Sequence, residues 1–387
     1  MKKILFVTTR DPFSNNFSGD RLRASNIIKF LSKNNIVDLV FLSSKLSNSS
    51  KNKRNSGKTY EFRTNFYLKI FYSLISLIKL NPIQNGFFYS KDLESFIKIN
   101  HRKYNTIIFH LTRSAQYLPS NFKGKKILEM TDLYSNNYNQ TIKELSLLNP
   151  LYYIYLIELY LIKFYEKKCF RLFDKIILVS KNDVLNNKSY INLKKIVNIP
   201  NGCKVQNNYF SFNKKNNKII FVGNIRYLPN KQACYDFAKN ILPKINHIFP
   251  FVKFHIIGEI SFIDKKRLKK IKNTFVHGQQ KNLQKFIKNS FCAIANLKIA
   301  TGMQNKILTY MSYGLPVISS LASFKGSIFF KKNIHLLVYK DNIEFLILLK
   351  KIKLNRQFSN QMSKKSFKNI KNKFDWSKIL AKYKKII

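Results

Sequence analysis

A chain of 387 residues has room for two ordinary domains, each with its own apolar core. A hydrophobic share of 45% excludes a wholly disordered protein, although 70 basic against 19 acidic residues leave a net charge of +51. That charge suits nucleic acid, anionic lipid or phosphorylated ligands. It is nevertheless spread along the whole sequence, and Lys, Asn, Ile, Phe and Tyr rise together, as A+T-rich codons alone would make them. No zinc-finger or RNA-binding aromatic motif accompanies it, so nucleic acid is not an expected partner.

In chain order, 3–8 reads as a first strand, because Arg10, Asp11 and Pro12 cut the apolar run too early for a signal peptide. Helix is expected over 22–32, strand over 37–44, and a polar, lysine-rich and serine-rich loop over 44–58. Segments 66–80 and 151–164 are the most apolar, but Lys69, Lys79, Glu158 and Lys163 interrupt them. Neither is a clean span of about 20 apolar residues. They read either as ordinary packed helices or as helices lying on an anionic membrane face with lysines toward the headgroups. Further strands are expected at 106–111, 126–130 and 175–180, with a helical 151–173 before the last.

The second half has the clearer rhythm. Strands over 219–223, 251–258, 274–278, 291–297 and 316–320 alternate with helical 232–246, 265–272, 282–289 and 303–313. Short strands, apolar on both faces and separated by helices, predict a parallel sheet covered on both sides. The expected architecture is therefore α/β, with two Rossmann-like doubly wound domains facing a ligand cleft at the carboxyl ends of their strands. The boundaries are 1–204 and 205–373, with 205–217 as linker. The final helical stretch, 376–387, is not placed by periodicity.

Several motifs fail on inspection. Gly57, Lys58 and Thr59 mimic the end of a P-loop, but Asn52 stands where its first glycine belongs. There is no Gly-x-Gly-x-x-Gly, no Asp-x-Asp, no Gly-x-Ser-x-Gly and no metal-ligand spacing among the six histidines. Asp92 and Glu94 read as the acidic first turn of a helix. Cys169, Cys203, Cys234 and Cys292 are widely spaced and read as reduced thiols of a cytoplasmic protein. One segment stands out. Residues 300–320 combine a glycine-opened loop, a short helix, a turn at 314–316 and a buried strand. A helix start exposes N–H groups that favour an anion, and Lys298 and Lys306 flank it, which is the layout of a phosphate site.

The order of motifs resembles the retaining glycosyltransferases of family four, with the GT-B fold, nearest to bacterial sugar transferases of exopolysaccharide systems. It is carried by FVTTRDP at 6–12, SGDRLR at 18–23, Ser180, PNG at 200–202, FVGN at 221–224, YLPN at 227–230, GMQNK at 302–306, MSYGLPV at 311–317 and FDW at 374–376. The resemblance implies transfer of a sugar from a nucleotide-diphosphate donor to a saccharide or lipid-linked hydroxyl, with retention and without metal or other cofactor. It implies that Gly302, Gln304, Asn305 and Lys306 meet the donor diphosphate, with Gly223, Asn224, Arg226, Lys298 and Thr309 around it. Gly19, Asp20 and Arg21 would form a phosphate or acceptor loop. His110 and Asp132, after strands, are candidates for contacts to the transferred sugar. The closing helix, 374–387, would pack back on the first domain. The expected location is cytoplasmic, peripheral on the inner face of the plasma membrane.

Thr301 and Thr309 stand where the family carries two glutamates, and Asn224 and Asn230 where it carries its Arg and Lys phosphate pair. Arg226, Lys231 or Lys298 are the substitutes at hand for that charge. A relative that binds nucleotide sugar without catalysis, and a basic nucleic-acid-binding protein, are the alternatives.

Overall fold

The computed structural model describes the chain except for residues 15–17, 44–55, 144, 181–182, 184, 186–192, 208–211, 214, 281, 301 and 328. It divides into two compact units, Met1–Pro200 with Leu380–Ile387, and Asn201–Ile379. The crossings therefore fall at 200/201 and 379/380, where the sequence reading put them at 204/205 and 373/374.

The first unit is built on seven parallel strands: β1 (Lys3–Thr8), β2 (Ile36–Ser43), β3 (Thr59–Arg63), β4 (Thr106–His110), β5 (Lys125–Thr131), β6 (Lys175–Leu178) and β7 (Ile196–Asn198). Their order is β3-β2-β1-β4-β5-β6-β7. The order reverses between β1 and β4, so ligands of such a sheet bind beyond the carboxyl ends of those two strands. Central strands such as β4 are buried at every position, as parallel strands covered on both faces must be. The helices are α1 (Gly19–Leu31), α2 (Phe66–Ile78), α3 (Ile83–Phe87), α4 (Lys91–Asn100), α5 (Tyr134–Lys143) and α6 (Pro150–Leu172). α1 starts three residues before the expected 22, so Gly19 is already helical.

Two of these helices keep much of their apolar surface in the open. On α2, Tyr67 is 82% exposed and Ile78 80%, with Phe66, Ile70, Phe71 and Leu74 also exposed. On α6, Tyr153, Ile157, Tyr160 and Phe164 form an exposed stripe at helical spacing. Among the described residues, no helix is long and apolar enough to cross a membrane.

The unit closes on a buried ion pair. Arg23, 1% exposed, donates from Nε to Glu129 Oε1 at 2.8 Å and to the carbonyls of Ile199 at 2.9 Å and Pro200 at 3.1 Å. The Tyr383 hydroxyl donates to the other Glu129 oxygen. Residues from 380 onward are thus part of this core. A fully desolvated pair persists only when its remaining hydrogen-bonding capacity is filled, and these carbonyls and this phenol fill it.

The second unit has six parallel strands: β8 (Lys218–Val222), β9 (Lys253–Ile257), β10 (Thr274–Gly278), β11 (Ser290–Ala295), β12 (Val317–Ser320) and β13 (Leu337–Tyr339). Their order is β10-β9-β8-β11-β12-β13, reversing between β8 and β11. The helices that matter below are α7 (Leu228–Asp236), α8 (Asn305–Ser312), α9 (Arg356–Lys373) and α10 (Trp376–Leu380). α7 continues through a π turn, Phe237–Ile241, into Leu242–Ile248. Pro243 lacks the N–H that an unbroken α-helix needs at that point. The expected helix 303–313 is shorter, because Gly302, Met303 and Gln304 form the turn that leads into α8.

Candidate functional site

In the second unit the site is built around the start of α8. Gly302 adopts φ +61°, a left-handed conformation that suits glycine. A methyl group on Gly326 would lie 1.6 Å from the Gly302 carbonyl oxygen, so two glycines let the turn close down on its neighbour. Gln304, in extended conformation, precedes the helix and contributes no capping side chain. The first-turn N–H groups of α8 have no intrahelical partner by construction. Asn305 Oδ1 is buried without a hydrogen-bond partner. The helix is tied to the sheet by Tyr310, whose hydroxyl accepts from the Val222 N–H at 2.7 Å.

Lys306 is not the solvated charge that a surface lysine would be. Its Nζ donates to Asn230 Oδ1 at 2.7 Å and lies 3.8 Å from the centre of the Phe221 ring. Burial pulls its pKa down to about 7, against a small opposing effect of Cys234. An ammonium this poorly solvated gains strongly from an arriving anion. Asn230 joins the two halves of the site: its Nδ2 donates to the Asn224 carbonyl at 2.8 Å, while its Oδ1 orients Lys306. Gly223 follows β8 and donates to Ile257 O at 3.0 Å. A methyl on Gly258, at φ +144°, would lie 1.7 Å from Gly223 O.

The other charges expected here are engaged or distant. Arg226 Nε pairs with Glu259 Oε1 at 3.4 Å, and Asn224 Nδ2 donates to Glu259 Oε2 at 3.4 Å. Lys231 pairs with Asp264 at 2.9 Å. Lys298 is exposed. Of the substitutes for the missing cationic pair, none is left as an unengaged buried charge, and Lys306 holds that position alone. Thr309 donates its hydroxyl to Asn305 O at 3.0 Å, one turn back along α8. Thr301 lies outside the described residues.

In the first unit, Gly19, Asp20 and Arg21 form the first turn of α1. Burial alone would raise the Asp20 carboxyl; Arg10, at 3.3 Å, with help from His110 and Arg113, outweighs it and holds the group below its ordinary value. His110 ends β4. Its Nδ1 lies 3.3 Å from Thr8 Oγ1, and its Nε2 is buried without a partner. Burial drives its pKa down to about 3, with the neighbouring arginines adding to the effect. It is therefore a neutral imidazole, able to donate or accept a single hydrogen bond but not to act as a cation.

Sequence reasoning missed Arg113, which completes this group. Its guanidinium lies 4.0 Å from the Phe88 ring centre, donates to Thr9 Oγ1 at 2.8 Å and reaches the Tyr134 hydroxyl at 3.3 Å. No motif marks it, because its role arises from contacts with three separate segments. Asp132 belongs to a different cluster, with Asp183 and Glu129. Its Oδ1 is buried and unpartnered, and burial, then the Asp183 charge, raises its pKa to about 7. The two candidates for sugar contacts thus sit in separate surroundings. Among the described residues, no three His, Cys, Asp or Glu side chains are arranged to hold a metal ion.

Residues 216–347 match the family model described as glycosyl transferases group 1. That segment contains both Gly223 and Lys306. No curated protein matches the chain in sequence. In structure, the whole chain superposes on Anabaena HepE in complex with UDP and glucose, at 12% identity and a TM-score of 0.71 over 99% of that chain. Similar values hold for S. aureus TarM with Fondaparinux, alpha-GlcNAc-glycerol and UDP (14%, 0.71, 98%). They hold too for the sucrose-phosphate synthase of Thermosynechococcus elongatus (12%, 0.73, 98%). In each case all of this chain is covered. At such identities the likeness establishes the fold, which is the expected GT-B arrangement of two parallel-sheet units.

Proposed function

We propose that the protein is a glycosyltransferase that moves a sugar from a nucleotide-diphosphate donor to a hydroxyl of a saccharide or lipid-linked acceptor. The observation that carries this reading is the α8 start, where a left-handed glycine, open first-turn amides and the desolvated Lys306 ammonium converge. The group 1 match over the same segment and the UDP bound by HepE and TarM support it.

The chemistry needs the departing diphosphate stabilised as charge develops on it. Fixed N–H dipoles and an underhydrated ammonium serve that step better than solvent does. In the retaining reaction the bond from C1 to phosphate oxygen breaks, the bond from C1 to acceptor oxygen forms, and the acceptor proton passes to the leaving phosphate. Such a route needs neither a protein nucleophile nor a metal. The neutral His110 suits a hydrogen bond to a sugar hydroxyl, and Asp20, with Arg10 and Arg113, suits the acceptor side. The exposed apolar faces of α2 and α6, with Lys69, Lys79, Lys163 and Lys167 beside them, suit an anionic inner-membrane surface carrying the acceptor. Exopolysaccharide assembly is the setting we favour.

Screening UDP-, GDP-, ADP- and dTDP-sugars by thermal shift tests the reading. One of them should stabilise the protein, by roughly 2.7 kcal/mol at about 100 times its dissociation constant. Nucleotide release should then survive EDTA. A protein that no activated sugar stabilises would refute the proposal, and stabilisation without any turnover would leave only a binding role.

A further inference from the structure

Beyond both sites the first unit holds a cavity of about 520 Å³, enclosed by α2, α3, α4, α6 and the 3-10 turn Thr112–Tyr117. That volume falls within the range of small-ligand sites, about 300–1,000 Å³. Its floor depends on Gly86, since a methyl there would lie 2.0 Å from the Tyr72 carbonyl oxygen and force α3 off α2.

The lining decides what fits. Tyr72 and Tyr89 meet edge to face with ring centres 4.6 Å apart and offer aromatic surface. Asn85 is 3% exposed, yet its Oδ1 has no hydrogen-bond partner. A buried carbonyl oxygen without a donor is costly and normally finds one, from protein or ligand. Gln116 is held in place by its Nε2 donating to Asn85 O at 2.8 Å and to Arg113 O at 2.9 Å. Glu94 takes part through a carboxylate that accepts from the Tyr89 hydroxyl and from Lys98 at 2.9 Å. Burial alone would raise that carboxyl, but the Tyr89 and Lys98 hydrogen bonds outweigh it and keep the group ionised.

A hydrocarbon tail would strand these polar groups, and an anion would meet the Glu94 charge. A neutral molecule rich in hydroxyls meets every requirement. Its hydroxyls donate to Asn85 Oδ1 and to Glu94, and its C–H face packs on Tyr72 and Tyr89. We propose that this cavity is a saccharide-binding site, holding a sugar unit of the acceptor chain away from the reacting hydroxyl. The proposal rests on the transferase reading for its role and on the cavity alone for its ligand.

The test is a glycan array of hexose, hexosamine and uronic-acid oligosaccharides, probed with the full chain, followed by calorimetry on the best ligand. Glu94→Gln, at a half-exposed position, and Asn85→Ala should each weaken binding about tenfold, the effect of one lost hydrogen bond to a charged or buried acceptor. Circular dichroism melting checks that both variants fold. Lys306→Ala should leave oligosaccharide binding intact while abolishing sugar-nucleotide binding, which separates this site from the donor site. An empty array overturns the proposal, as does binding that neither folded variant alters. So does selective loss of binding to phosphatidylglycerol vesicles in both variants without any oligosaccharide bound.

Discussion

Replacing Lys306 by Met keeps the side chain's length and removes its ammonium. In the unliganded protein that ammonium stacks on Phe221, donates to Asn230 and has its pKa drawn down by burial to about 7. Two opposite pH trends follow. An unfolded lysine titrates near about 10.4, so between about 7 and 10 the unfolded chain binds more protons than the folded one. Stability therefore rises with pH across that window. Lys353, lowered by burial to about 8, adds to the same slope, so the difference between parent and variant isolates Lys306. Donor binding runs the other way, because only the protonated form attracts the diphosphate. Affinity should be full below pH 7 and fall by up to about tenfold per pH unit above it. A sugar nucleotide is the appropriate probe, since it lacks the second phosphate ionisation near about 6 that would confuse the profile. A charge-assisted hydrogen bond contributes about 1.5–3 kcal/mol, so Lys306→Met should weaken binding roughly tenfold to a hundredfold at pH 6. The gap should narrow toward pH 9. Calorimetry at pH 6, 7, 8 and 9, beside thermal unfolding at the same values, reads both trends. A variant that binds as tightly as its parent at pH 6 would refute the placement of the phosphate.

Arg23→Met strands the buried Glu129 carboxylate and should cost about 3–5 kcal/mol in denaturant unfolding, whereas Tyr383→Phe removes one donor and should cost about 1–3 kcal/mol. Equal, small effects would show that the cluster is solvated. Gly326→Ala pushes a methyl into the Gly302 carbonyl and displaces the α8 start; a shift of about 1 Å there should lower the transfer rate on the order of a hundredfold. An unchanged rate would show that the turn relaxes freely. Lys69→Glu with Lys79→Glu should abolish co-sedimentation with phosphatidylglycerol vesicles, at about 1 kcal/mol per lysine. Equal binding of parent and variant to neutral phosphatidylcholine vesicles would remove the membrane reading.

What could be read from the residues follows from how each element is covered. β8, β10 and β12 appear as short apolar runs because parallel strands are buried on both faces, and two of those runs end in a glycine the backbone requires. β3 escaped notice because its five residues are only partly buried or exposed, and β7 and β13 because three residues carry no period. The α8 start was legible since Gly302 and Lys306 lie within one turn of each other. The path from Lys306 through Asn230 to the Asn224 carbonyl was not, because it joins residues 76 and 6 positions apart. The same holds for Arg113 and for the partners of Arg23. Tertiary contacts between isolated polar residues leave no trace in composition or spacing.

The Arg23 cluster also sets an order of events during synthesis. Residues 380–387 leave the ribosome only after the whole of Asn201–Ile379 has been made. Until then the nascent first unit lacks Leu380, Tyr383 and Ile386, all buried in the finished protein, and Glu129 lacks its phenol. The later-made unit can therefore reach its native packing first, reversing the usual amino-to-carboxyl progression.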